Sequence, residues 1–159
     1  MFPRPSIDSL EFARDGLRLS GDIPVGHLSR LADLLEKPLG NLSFSLQGQA
    51  SKDGDFLLLS VEGLLYLRCQ RCLGELAQSV SLASKLKLVA AGLLDTVEEA
   101  DDTDCIEATR HMDVWTLVED EVLLNLPFSP KHDDETCRPL ESETKSAVRP
   151  FAGLASLKK

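Results

Sequence analysis

The chain has 159 residues, 43% of them hydrophobic, which is enough for one domain with its own core and too short for two to be expected. Its formal net charge of −9 argues against sequence-independent nucleic-acid binding, which depends on cationic side chains displacing counterions from phosphates. Four cysteines are too few and too unevenly spaced for a disulfide-stapled secreted domain. With no signal-like apolar run at Met1-Phe2-Pro3-Arg4-Pro5 and no 18 consecutive apolar residues, the expectation is a soluble cytoplasmic protein.

In chain order, Asp8 is placed to cap a short helix over Leu10, Phe12 and Ala13 that Gly16 ends, and Leu17 to Ser20 reads as extended. Leu28, Leu31, Leu34 and Leu35 recur at helical spacing and predict a second helix from His27 to Glu36, stopped by Pro38. From Leu42 the period changes to two. Leu42, Phe44, Leu46 and Ala50 alternate with Ser43, Ser45, Gln47 and Gln49, Asp53-Gly54 supplies a hairpin turn, and the run from Phe56 to Cys69 is apolar at Leu57, Leu59, Val61, Leu65 and Leu67. Leu76, Val80, Leu82, Leu86 and Leu88 again share one parity, which favours a third strand over a helix.

Gly92 to Asp104 is acidic and turn-rich and reads as a mobile surface loop. Cys105 to Ala108 fits a short strand. Asp113 is placed to cap a helix with Val114, Trp115, Val118, Val122 and Leu126 inward, Glu119, Asp120 and Glu121 mostly outward, and Pro127 at its end. The fold class expected is therefore α+β: an antiparallel β-meander packed with a few helices, an acidic loop and a flexible C-terminal tail. Residues 1–137 form the expected domain, and 138–159 a linker leading to a short apolar stripe, Phe151, Leu154 and Leu157, with a basic end.

Charge is divided along the chain. Gly92 to Cys137 holds fourteen acidic residues against Arg110 and Lys131, while the rest holds twelve acidic and fifteen basic. A mildly basic surface can coexist with an acidic lobe suited to a basic protein.

The most chemically specific stretch is Arg68-Cys69-Gln70-Arg71-Cys72-Leu73-Gly74. Two thiols three positions apart, with Gly74 available for a positive φ, can aim both sulfurs at one point, half of a tetrahedral metal site. The other half is offered by His132 and Cys137, which would complete a Cys3His set for zinc. His-x4-Cys is not a standard zinc spacing, however, and two other readings stay open. A redox pair would need a helix starting at Cys69 to depress its pKa, and the alternating run after Gly74 does not supply one. A purely structural reading makes both cysteines small apolar side chains at a hairpin end.

Cys105 reads as apolar filler. His27 and His111 read as surface or cap residues. Glu119-Asp120-Glu121 suggests Mg2+ only superficially, because adjacent helical positions diverge by about 100°. No Gly-rich phosphate loop, Gly-x-Ser-x-Gly or His-Glu-x-x-His occurs, and one tryptophan and one tyrosine offer little area for stacking on bases.

Cys69-Gln70-Arg71-Cys72 after an apolar strand, Val118 through Pro127, Pro130-Lys131-His132 leading to Cys137, and Pro150-Phe151-Ala152-Gly153-Leu154 to Lys159 together resemble the bacterial YceD family, the large ribosomal RNA subunit accumulation proteins. The resemblance implies a role in synthesis, processing or accumulation of large-subunit ribosomal RNA, with no catalytic residue to carry over. Candidate contacts to pre-ribosomal RNA or a basic assembly protein are Arg68, Arg71, Lys85 and Lys87, expected to cluster at the thiol-bearing hairpin end, with Lys158 and Lys159 on the tail. The alternatives are a protein-interaction module acting on RNA indirectly and a Cys-x-x-Cys oxidoreductase. No membrane or small-molecule partner is expected.

Overall fold

The computed structural model describes residues 4–94, 103–134 and 137–139. In chain order the elements are β1 (Ser6–Ile7), α1 (Ser9–Arg14), β2 (Arg18–Pro24), β3 (Leu35–Lys37), β4 (Asn41–Ser51), β5 (Gly54–Arg68), β6 (Glu75–Val89), β7 (Asp104–Glu107), β8 (Met112–Asp113) and α2 (Val114–Asn125). Alternation of apolar and polar residues generates the long strands β4, β5 and β6, which run as an antiparallel meander. Lys52 and Asp53 make the first turn, and Gly54, at φ 134°, opens β5 behind them. The sheet continues on one side with antiparallel β2 and on the other with β7, which lies parallel to β6, so the order is β2-β4-β5-β6-β7. β3 pairs with the far end of β5, Leu35 opposite Leu67.

Period-2 patterning gives the sheet two different faces. Leu42 and Leu46 of β4, Leu57, Leu59, Val61, Leu65 and Leu67 of β5, and Leu86 of β6 point inward and are almost wholly buried. α1 and α2 cover that side. The helices start as expected: Asp8 accepts from the N–H groups of Leu10 and Glu11 at 3.1 and 3.2 Å, and Asp113 from those of Trp115 and Thr116 at 2.9 and 3.1 Å. Where α1 crosses β4, Gly48 leaves room for the helix backbone. A Cβ there would sit 2.1 Å from the Phe12 carbonyl oxygen. The opposite face carries Ser20, Ser43, Ser45, Ser60, Ser79 and Ser81, all exposed.

The second predicted helix does not form. Val25–His27 and Ala32–Leu34 are single 3-10 turns, and Leu35 enters β3. The apolar spacing is real, since Leu28, Leu31 and Leu35 are buried, but Leu34 is exposed. A carboxylate from elsewhere takes the backbone donors that a helix would need: Glu119 in α2 accepts from the N–H of Arg30 at 2.6 Å and of Leu31 at 3.1 Å. It also accepts from Arg30 Nε at 3.3 Å, and the Arg30 guanidinium pairs with Asp120 as well.

The outward placement of Glu119 and Glu121 is corrected at the same point. Both are buried, Glu119 in this clasp and Glu121 accepting from Ser84 Oγ at 2.5 Å; only Asp120 stands partly in solvent. His27 is exposed, as expected, and its ring stacks on Trp115 at 5.7 Å.

Residues 95–102, most of the acidic segment, and 140–159, which hold nearly all of the expected linker and tail, lie outside the described residues. Among the described residues no helix is long and apolar enough to cross a membrane.

Chemical denaturation of three variants tests this packing. Glu119→Ala strands the Arg30 and Leu31 N–H groups and should cost about 2 kcal/mol or more, whereas Asp120→Ala, at a half-exposed pair, should cost less than about 1 kcal/mol. Gly48→Ala must push α1 away from β4 and should cost about 1–3 kcal/mol; a neutral result would show that α1 does not seat there.

Candidate metal centre

Strand β5 ends at Arg68 and β6 begins at Glu75, so the turn between them holds both members of the Cys-x-x-Cys. Cys69 continues the buried parity of Leu65 and Leu67 and is fully buried. The turn is closed by the Cys69 N–H donating to the Gly74 carbonyl and the Leu73 N–H donating to the Cys69 carbonyl, each at 2.9 Å. The positive φ falls on Leu73, at 57°, and not on Gly74 as anticipated. A leucine held there is strained by about 1 kcal/mol or more, and its side chain stands about half exposed.

The distant segment does come back to this turn. Pro127 follows the end of α2, and the extended chain beyond it is pinned where the Gln70 N–H donates to the Pro130 carbonyl at 2.8 Å. Two residues further on, His132 is oriented by its Nε2, which lies 2.8 Å from the Glu75 carbonyl and leaves Nδ1 facing the Cys72 sulfur at 3.5 Å. Asp134 turns the chain again, its Oδ1 accepting from the Cys137 N–H at 2.9 Å. Cys137 Sγ then lies 3.6 Å from Cys69 Sγ, across 68 residues of sequence.

One ligand atom from each of Cys69, Cys72, His132 and Cys137 falls within 4.8 Å of all the others. A tetrahedral ion with bonds of about 2.3 Å to sulfur and about 2.0 Å to nitrogen requires S–S edges near 3.8 Å and S–N edges of about 3.5 Å, close to the spacings observed. The set can hold a metal ion. Soft thiolates with one imidazole suit zinc and not magnesium or calcium, and the Glu75 carbonyl behind His132 is the partner that fixes the tautomer of a metal-binding imidazole.

The electrostatics fit the same use. Burial pushes the Cys69 thiol up, but the N–H groups of Cys72, Arg71 and His132 outweigh it and hold the thiol at about 5, a thiolate at neutrality. Burial, together with the Cys69 sulfur beside it, pushes Cys137 up to about 11. His132 is raised above its ordinary value, first by its bond to the Glu75 carbonyl. A low thiol pKa is also what a redox cysteine has, yet Cys69 is fully buried, no helix starts at it, and an attacking thiolate needs access.

Residues 57–158, which contain all four ligands, match the family described as large ribosomal RNA subunit accumulation protein YceD. The chain belongs to the YceD family. No solved structure matches it.

The cationic residues do not gather as expected. Arg68 and Arg71 lie at the thiol turn, Arg68 paired with Glu36 at 2.8 Å and Arg71 donating from Nη1 to the Cys137 carbonyl at 3.3 Å. Lys85 and Lys87 lie on β6 opposite Leu58 and Phe56, toward the other end of the hairpin. At about 3.4 Å per residue this is some 30–40 Å away, because the strands run to 15 residues. Lys158 and Lys159 lie outside the described residues. The supporting groups that sequence reasoning missed are the carbonyls of Glu75 and Pro130, which leave no mark in a sequence, and Asp134, whose place three residues before Cys137 is a recognisable side-chain-to-backbone turn signal.

Because Cys137 holds its proton to about 11 in the metal-free site, binding must displace at least that proton, so zinc affinity should rise at least about tenfold per pH unit between pH 6 and 8; a pH-independent affinity measured by competition with a chromophoric chelator contradicts the ligand set. Leu73→Gly should leave thermal stability unchanged or raise it by up to about 1 kcal/mol by removing the strain, and a large drop would show that the Leu73 side chain is needed.

Proposed function

We propose that the protein is a non-catalytic cytoplasmic factor that supports accumulation of large-subunit ribosomal RNA, with a structural zinc ion on Cys69, Cys72, His132 and Cys137. The observation that carries the role is the family match over 57–158. The zinc reading is supported by the four donors within 4.8 Å. Four protein ligands leave no position for water or substrate, which is the pattern of a structural site and not a catalytic one.

In this reading the ion clips the segment from Pro130 to Cys137 against the β5–β6 turn and fixes the surface around it. The action is exerted by contact, with pre-ribosomal RNA or with a basic assembly protein, and Arg68 and Arg71 at the clip belong to the candidate contacts. Ion pairing of Arg68 with Glu36 reduces the charge available there.

The test is a deletion strain in which large- and small-subunit ribosomal RNA are quantified. The ratio of large to small should fall and be restored by the wild-type chain. Cys69→Ala with Cys72→Ala should fail to restore it unless the protein level is also restored. An unchanged ratio in the deletion strain would contradict the role.

A further inference from the structure

Ion pairing sorts the cations. Arg4, Arg14, Arg30, Lys37 and Arg68 are each held by a carboxylate, and Arg71 by the Cys137 carbonyl. Arg18, Lys52, Lys85, Lys87, Arg110, Lys131 and Arg138 have no carboxylate partner among the described residues. Strand register places three of them on one surface. Arg18 is opposite Gln47, Gln47 opposite Leu58 and Leu58 opposite Lys85, so Arg18 and Lys85 end one row across four strands. Gln49, Phe56 and Lys87 form the next row.

The Lys85 ammonium sits over the Phe56 ring, 4.3 Å from its centroid. Lys87 reaches the β4–β5 turn, its Cε 3.3 Å from where a side chain on Gly54 would begin, and Lys52 is exposed in that same turn. Nearby Asp55 faces the other way and is neutralised by Arg14 at 3.0 Å, and Glu107 accepts from the Gly92 N–H at 2.9 Å. The next row holds exposed Ser20, Ser45 and Ser60, and the row after it carries exposed Asp22 and Glu62, which bound the basic patch on that side as exposed Asp53 does in the Lys52 turn; neither helix lies over this face.

We propose that Arg18, Lys52, Lys85 and Lys87 form a track for an RNA phosphate backbone on this face of the sheet. Three strand spacings put Arg18 about 14 Å from Lys85, and two residues put Lys85 about 7 Å from Lys87, so the four charges are spread to meet several phosphates and not one. Gln47 and Gln49 stand between them as hydrogen-bonding groups, and the low serine surface lets a strand lie flat. This inference rests on the ribosomal-RNA reading and deepens it by assigning direct contact to one face, remote from the metal centre.

The experiment is fluorescence anisotropy of the full chain with a labelled 20-nucleotide oligouridylate and with a 20-base-pair RNA duplex, over a range of KCl. Arg18→Gln/Lys85→Gln/Lys87→Gln should weaken binding at least tenfold for one or both probes. It should also flatten the slope of log K against log salt by about 2, at about 0.7 for each single-strand phosphate that is no longer neutralised. Arg110→Gln/Lys131→Gln/Arg138→Gln, with the same change in charge, should weaken it less than threefold, and melting curves verify that both variants fold. The proposal is overturned if the two triple variants behave alike, if the first binds as the wild type does, or if the wild type binds neither probe. It is also overturned if the first variant keeps its RNA affinity and fails to retain a protein partner in nuclease-treated pull-downs, which would assign the face to protein. None of these outcomes bears on the ribosomal-RNA ratio of the deletion strain, so the two readings fail separately.

Discussion

Three sulfurs and an imidazole nitrogen within 4.8 Å of one another are the constraint from which the rest of this molecule is best understood. Metal-free, such a group can carry little charge: the opposed shifts of Cys69, to about 5, and Cys137, to about 11, express the cost of a second thiolate beside the first. A divalent cation would remove that conflict and reward every donor at once. It would also close a loop of 68 residues, containing β6, β7, β8 and α2, onto the end of β5. Cross-linking a loop of that length restricts the unfolded chain far more than the folded one.

Strands β5 and β6, at 15 residues each, bring the turn to the edge of the core, where the buried parity of Leu65 and Leu67 runs straight into Cys69. The core thus orients Cys69, the turn presents Cys72, bonds to the carbonyls of Pro130 and Glu75 bring His132, and Asp134 turns Cys137 toward them. Lys85 and Lys87 lie toward the opposite end of the hairpin, so the proposed zinc clip and the proposed basic track would occupy different ends of the molecule.

Local signals were legible where neighbours in sequence are also neighbours in space. Asp8 and Asp113 cap their helices, Asp53-Gly54 turns the hairpin, and alternation identifies β4, β5 and β6 because each has one wet and one dry face. The convergence of His132 and Cys137 on the Cys-x-x-Cys was legible too, as a matter of ligand chemistry. What misled was the leucine spacing from Leu28 to Leu35. Burial on one side is common to a helix and to a chain of turns, and the choice was made by Glu119, 88 residues from Leu31, whose carboxylate took the backbone donors. The same interaction placed Glu119 inside a helix face that looked solvated. The scattering of Arg68 and Arg71 from Lys85 and Lys87 was missed because parity tells which face a residue shares and not how far along the strand it sits.

Whether these four side chains bind one zinc ion decides the matter, and X-ray absorption at the zinc edge on the protein as purified tests it most directly. The expected result is one equivalent of zinc with three sulfur neighbours at about 2.3 Å and one nitrogen at about 2.0 Å. A protein purified without metal that takes up no zinc, or a bound zinc surrounded only by oxygen and nitrogen, would contradict it.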